Sequence, residues 1–174
     1  LKQETEAEQK ALFAVPLMVD AMQGRISREA YIAYLTQAYH HVKHTLPLLM
    51  AAGGRVPASK EAVRRRFAEY IAEEVGHEEW ILNDIRAAGG DAEAARASKP
   101  ARPTDIMTAY AWDIVNRRNP VAFFGMVFVL EGTSVARASQ AADVLMQSLK
   151  LPRSAFTYLT SHGSLDVSHM QFFE

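Results

Sequence analysis

The chain contains no cysteine among its 174 residues. This absence excludes a disulfide scaffold, a cysteine-ligated zinc or haem site and a cysteine nucleophile. The chain also lacks an excess of either charge, because 19 Lys and Arg face 20 Asp and Glu, for a formal net charge of −1. A near-neutral chain does not predict nucleic acid or an anionic membrane as a partner.

Long apolar runs are absent as well. No stretch approaches the roughly 18 consecutive apolar residues of a membrane span, and no secretory signal is visible. We therefore expect a cytoplasmic protein with no membrane contact, forming one domain over residues 1–174. Because residues 168–174 still have a helical pattern without a stop signal, we also expect the natural protein to continue past this C-terminal part.

Helical periodicity dominates the chain, while glycine and proline fall in short clusters and period-two alternation is scarce. This pattern predicts an all-α fold, a bundle of about six or seven helices. The predicted helices cover residues 3–22, 27–52, 59–88, 104–118, 120–149 and 153–174, with a looser stretch at 89–103. We expect Pro47 to kink the second of them or to end it early.

Carboxylates and imidazoles recur on apolar helix faces. In the third predicted helix, Glu74 and Glu78 fall within the apolar stripe and His77 lies at its edge. Glu74 and His77 have the i, i+3 spacing that carboxylate-bridged dimetal sites use in helix bundles. The alternative is a solvated surface rich in glutamate.

Glu131 is the only charge between Pro120 and Arg137. Its face carries apolar residues, so an ionised carboxylate there requires a partner. A bound metal or a buried Glu–Arg pair would each meet this requirement. The residues predicted to share the face are Phe124, Val127, Phe128, Val135 and Ala138.

The most specific local pattern is His162, Asp166 and His169, at i, i+4 and i+7. These side chains fall within about 60° of one another on a single helix face. Together the three helices offer three carboxylates and three imidazoles. Oxygen and imidazole donors without sulfur suit iron or manganese, with zinc possible. Six ligands exceed one tetrahedral zinc site and suffice for two metals with open positions for dioxygen and substrate.

The other histidines are His40, His41 and His44, which cluster on the second predicted helix. Because Gln37 and Lys43 are close by, we expect a polar surface there. A wall of a substrate pocket and a histidine beneath a flat cofactor remain alternatives.

The ordered motifs resemble a known family. They are Glu-Glu-Val-Gly-His-Glu-Glu-Trp-Ile-Leu at 73–82, Val-Leu-Glu-Gly-Thr at 129–133, and the histidine–aspartate pattern at 162–169. From about Glu29 onwards the chain resembles the heme-oxygenase-like diiron oxidases, or iron-containing redox enzymes, which are related to thiaminase II and pyrroloquinoline-quinone synthesis proteins. The resemblance implies a heme-oxygenase-like helical bundle with a labile nonheme diiron centre. It also implies oxidation of a small organic molecule by O2, through N-oxygenation, oxidative C–C cleavage or decarboxylation.

The resemblance also implies a ligand set. One iron would be held by Glu74, His77 and His162, and the other by Glu131, Asp166 and His169. The spacing of the first acidic ligand varies within the family, so the reserve candidates are Glu73, Glu78 and Asp84. The implied cofactors are two Fe(II) per chain, or Mn or Zn, with O2 as co-substrate. The implied partners are a small-molecule substrate, an external electron donor and a second copy of the chain.

Two other functions remain open. The chain is alternatively a metal-free small-molecule-binding or regulatory protein of the same fold, or a haem-binding oxygenase that uses a histidine from the 40–44 cluster. Four aromatic side chains near the ligands are candidate cavity walls, namely Trp80, Phe124, Phe128 and Tyr158, although packing in the core is the favoured interpretation of each one singly. Tyr70, which lies close to His77 on the predicted helix, is a candidate hydrogen-bond donor or redox-active phenol.

Overall fold

The computed structural model describes residues 5–161, without the side chains of 134–136. This part of the chain is helical and has no strand, as predicted. Its nine α-helices are α1 (Glu6–Phe13), α2 (Pro16–Met22), α3 (Arg28–Val42), α4 (Thr45–Arg55), α5 (Glu61–Glu74), α6 (His77–Ala87), α7 (Ala92–Ala97), α8 (Arg102–Arg117) and α9 (Phe123–Leu149). Short 3-10 turns lie at Ala58–Lys60, Pro120–Ala122 and Arg153–Ala155, and residues 157–161 are again helical.

Three predicted helices are each broken in two. The boundaries of the first and third were wrong, whereas an interruption of the second was expected from Pro47. The first breaks before Pro16, which begins α2, because proline lacks the amide hydrogen that continues a helix. The second ends at Val42, ahead of Pro47. The third breaks at Gly76, whose φ of +86° lies in the left-handed region that glycine adopts without steric cost. The stretch predicted to be loose contains α7.

In the described part of the chain, the interior is formed by two hydrophobic clusters, and α9 belongs to both. Phe123 and Phe124 near its start pack with α4, α5 and α8, whereas Ala142 and Leu145 pack with α3 and α6. Helix α5 contributes to the first cluster and α6 to the second. The junction between α5 and α6, and the middle of α9, therefore lie where the two clusters meet.

Helix α9 bends between its two halves. The segments Pro120–Thr133 and Arg137–Leu149 meet at 46°. Gly132 and Thr133 immediately precede the bend, and the Thr133 hydroxyl donates a hydrogen bond of 2.6 Å to the Val129 carbonyl, an arrangement that often bends helices. No single helix in the described range has the length and apolar character to cross a bilayer, although the two bent halves together meet that test by composition.

Asp84 of α6 caps the helical segment that starts at Thr157. Its Oδ1 accepts hydrogen bonds from the Thr157 amide (3.0 Å) and hydroxyl, and its Oδ2 accepts one from the Tyr158 amide (2.8 Å). The side chain is fully buried. Burial raises the pKa of this carboxyl, and the three hydrogen bonds act in the opposite direction. Asp84 thus ties the last described segment to the helix that begins with His77.

Candidate metal centre

Glu74 and His77 come together across the break between α5 and α6. Glu74 is the last residue of α5 and His77 the first of α6. The His77 Nδ1 atom lies 3.2 Å from Glu74 Oε2, and both side chains are at least 95% buried. The predicted pair is therefore close in space, but the left-handed turn at Gly76, and not one continuous helix, brings it together. Trp80 packs on the His77 ring, with centroids 4.1 Å apart.

Glu131 is buried in the middle of α9, with 8% of its surface exposed. Its predicted inward face is confirmed by the buried side chains on that face, namely Phe124, Val127, Phe128 and Ala138. The side chain of Val135, also predicted to lie there, is outside the described part. A carboxylate in this apolar setting is costly unless it binds a cation or a donor.

Glu74 and Glu131 line the same cavity, which has a volume of about 360 Å³. This size falls within the range of small-molecule pockets. Tyr70 and Tyr158 also line it. Of the other candidate walls, Phe124 packs on Phe67 (4.4 Å between centroids) in the core, the interpretation favoured from the sequence, and neither Phe128 nor Trp80 lines the cavity as the described residues outline it.

The other three predicted ligands, His162, Asp166 and His169, lie outside the described residues. Across residues 5–161, no group of three or more His, Asp or Glu side chains is arranged to hold a metal ion. The described part of the site is therefore a buried Glu–His pair and a buried glutamate that share one cavity.

Residues 32–174 match the model of a protein family described as "Iron-containing redox enzyme". The chain belongs to the iron-containing redox enzyme family. The matched region contains all six predicted ligand positions and confirms the resemblance noted in the sequence. Membership supports an oxidoreductase that uses iron.

The fold is also shared with a solved structure. A crystal structure of a domain of unknown function with a heme oxygenase-like fold from Shewanella denitrificans is similar to this chain, with a TM-score of 0.86 and 23% sequence identity. The likeness covers 98% of this chain and 74% of that one, and it shows the predicted heme oxygenase-like fold. The search of curated proteins gave no match.

The donors of this iron-containing redox enzyme suit iron. Glu74 and Glu131 provide hard carboxylate oxygens and His77 provides an imidazole, the ligand types that nonheme iron accepts. All three are buried, and both carboxylates line a cavity with room for a further molecule. The chemistry of the described donors thus fits the metal that the family name implies.

The reserve candidates for the first acidic ligand differ from Glu74 in their surroundings. Glu73 is exposed and Glu78 is partly exposed. The expectation that Glu78 lies within the buried stripe was therefore wrong. Asp84 is buried, but both its oxygens accept hydrogen bonds from the segment at Thr157. Among these four carboxylates, Glu74 is the one that lines the cavity.

The histidines at 40–44 lie at the end of α3 and the start of α4, and two of them contact neighbouring segments. The prediction of a polar surface was wrong for His40, which is only 1% exposed. Its Nε2 lies 2.8 Å from the Ser98 hydroxyl, and its Nδ1 lies 3.1 Å from Lys43 Nζ. His44 Nδ1 accepts a hydrogen bond of 3.2 Å from the Trp112 indole. His41 lines the cavity. His40 and His44 therefore connect α3 and the start of α4 to neighbouring segments.

These contacts predict a pH dependence of stability. Burial, and then the Lys43 charge, lower the pKa of both His40 and His44 below the ordinary value of 6.5. The unfolded chain thus binds protons that the folded chain does not, so stability is full above pH 6.5 and falls as the pH decreases below it. Urea unfolding should give a smaller free energy at about pH 5.5 than at about pH 7.5, and His40→Gln should reduce the difference. An equal difference in the variant would contradict this role for His40.

The sequence interpretation missed two parts of the cavity. One wall comes from α1 and α2, through Leu12, Leu17, Met18 and Met22, and Arg137 of α9 lines it as well. The available signal for Arg137 was its position as the next charge after Glu131 on the same helix. No sequence signal indicated the wall from α1 and α2, because the packing of α2 on α9 brings together segments that are distant in the sequence.

Proposed function

We propose that this protein is an O2-activating nonheme diiron oxidase that acts on a small organic molecule. The observation that carries the proposal is the convergence of two buried carboxylates, Glu74 and Glu131, from different helices on one cavity. Carboxylates from separate helices, joined by a Glu-x-x-His pair, are the donors that helix bundles use for two metals. Membership of the iron-containing redox enzyme family supports the choice of metal.

In this proposal each residue has a defined task. Glu74 and His77 hold one iron with His162, and Glu131 holds the other with Asp166 and His169. When bound, the iron pair supplies the binding and reduction of dioxygen. The cavity would hold the substrate beside the two glutamates that line it.

Anaerobic titration of the metal-free protein with Fe(II) tests the proposal. We expect uptake of about two irons per chain, as for other carboxylate-bridged bundles. Mixing the loaded protein with O2 should then give a transient visible absorption band, and a true substrate should hasten its decay. If the protein takes up no iron, the oxidase proposal fails, and a metal-free binding protein becomes the better hypothesis.

A hemin titration separates the haem alternative. Both ring nitrogens of His40 are engaged, by Ser98 and Lys43, so His40 is not placed to bind haem iron, and the proposed iron centre uses none of the histidines at 40–44. We therefore expect no haem-type absorption band on addition of hemin. A stable band with one hemin per chain would instead favour a haem-binding oxygenase.

A further inference from the structure

Trp80 contacts the proposed iron ligand His77 directly. The centroids of the two rings lie 4.1 Å apart, and the ring planes are inclined by 30°. His77 is buried, with 2% of its surface exposed, whereas Trp80 is partly exposed. Trp80 therefore connects a buried imidazole with the surface of the protein, where water reaches it.

The contact between these rings lies outside the cavity. Neither Trp80 nor His77 lines the cavity as the described residues outline it. A molecule bound in the cavity therefore does not separate the indole from the imidazole. Because rings in van der Waals contact exchange electrons readily, the indole is coupled to any metal that His77 binds.

An indole is the side chain best suited to lose an electron at this position. The chain has no cysteine, which leaves tryptophan, tyrosine and methionine as its readily oxidised side chains. Methionine is oxidised by acquiring an oxygen atom, so its sulfur must meet the oxidant itself. A phenol must lose a proton together with its electron. Tyr31 of the cavity wall is fully buried, and burial raises the pKa of its hydroxyl, which hinders that loss.

We propose that Trp80 is converted to hydroxytryptophan when the iron-loaded protein reacts with dioxygen in the absence of substrate, its electrons leaving through the His77 ring. The indole then acts as an internal reductant, which spares the buried ligands from oxidation. This inference rests on the proposed oxidase function, because it requires iron at His77 and dioxygen as the oxidant.

The electrons and atoms balance with water as the source of the new oxygen. Reduction of one O2 to two waters takes four electrons and four protons. The two Fe(II) ions supply two electrons and become Fe(III), and the indole supplies the other two. A ring C–H bond of Trp80 breaks, a C–O bond to a water oxygen forms, and two protons are released. Solvent supplies the remaining two protons.

Trp112 provides a matched control within the same chain, since it is the other of the two tryptophans. It is also partly exposed, but its indole donates a hydrogen bond to His44, which is not a proposed ligand. The full chain is loaded anaerobically with Fe(II) and mixed with O2 in water labelled with heavy oxygen, with catalase present. Mass spectrometry of tryptic peptides then separates Trp80, in peptide 67–86, from Trp112. We expect at least about tenfold more hydroxylation at Trp80 than at Trp112, with the label incorporated.

Two further controls distinguish this reaction from damage by free oxidants. Met50 is 59% exposed and reports any oxidant that diffuses through solution, so it should remain unoxidised. Zinc does not reduce O2, so the zinc-loaded protein should show no hydroxylation of either tryptophan.

Trp80→Phe tests the protective role, because it keeps an aromatic ring at this position and removes the indole. Over repeated cycles of reduction and exposure to O2, it should lose its capacity to bind iron at least about threefold faster than the unaltered chain. Trp112→Phe should lose this capacity no faster than the unaltered chain. Equal loss in the two variants would contradict the protective role of Trp80.

The failure of this inference differs from the failure of the oxidase proposal. Iron uptake and O2 consumption are measured on the same samples. Normal uptake and consumption with equal hydroxylation of the two tryptophans, with oxidation of cavity methionines or tyrosines instead, or with unlabelled oxygen on Trp80 would overturn this inference alone. A lack of iron uptake would overturn the oxidase proposal on which it depends.

Discussion

Replacing Glu74 by glutamine is expected to remove iron from one of the two proposed metal positions. The substitution keeps the shape of the side chain but removes the negative charge that holds a cation. Loss of an outer hydrogen-bond partner alone costs about 10–100-fold in metal affinity, so the loss of a ligand should cost about 100-fold or more. Anaerobic Fe(II) titration of Glu74→Gln should therefore show about one tightly bound iron per chain, and the band after O2 should be lost.

Glu73→Gln is the matched control for this experiment. Glu73 precedes Glu74 on α5, but its side chain is exposed and does not line the cavity. We expect its iron uptake to equal that of the unaltered chain. Both variants should unfold within about 1 kcal/mol of it, because neither change creates a void. Full iron loading of Glu74→Gln, or loss of iron in Glu73→Gln, would assign the first acidic ligand differently.

Among the substitutions considered, replacing Asp84 by alanine is expected to cause the largest decrease in the free energy of unfolding. The Asp84 carboxylate accepts three hydrogen bonds, and its removal leaves the amides of Thr157 and Tyr158 without this acceptor. Buried hydrogen bonds to a charged group contribute about 1.5–3 kcal/mol each, and the burial cost of the carboxylate offsets part of the sum. We expect a net loss of about 3 kcal/mol, which lowers the melting temperature by about 6–12 °C.

A graded variant checks the mechanism of this loss. Thr157→Val removes only the hydroxyl contact and keeps both amide donors, so it should cost about 1 kcal/mol. Exposed Asp143 on α9 provides a control, since Asp143→Ala should change the free energy of unfolding by no more than about 0.5 kcal/mol. A loss in Asp84→Ala no greater than in Thr157→Val would show that the amide contacts contribute little.

The helical class and the burial of the site carboxylates were predictable from the sequence, because both depend on local periodicity. The apolar run around Glu131 specifies which face of α9 turns inward, whatever that face packs against. The same argument identified Glu74 as buried. The argument overestimated the burial of Glu78. The chain changes direction at Gly76, so the residues after it no longer follow the apolar stripe of α5.

Helix breaks were harder to predict than helices. A glycine inside a helical pattern is tolerated in many helices, and only the packing of α5 and α6 into different clusters makes the left-handed turn at Gly76 favourable. The break changes how Glu74 and His77 meet without separating them. The proximity of Glu74 and His77 was thus predictable from the sequence, while the turn that brings them together was not.

The sequence by itself determined the all-α class, the family motifs and the buried carboxylates, since each depends on residue type and on spacing within a helix. Only the tertiary structure decided which distant segments meet. It paired Asp84 with Thr157, buried His40 against Ser98, and set Arg137 and the methionines of α2 around one cavity with Glu74 and Glu131. Contacts between helices depend on how whole faces pack, and no local spacing records them.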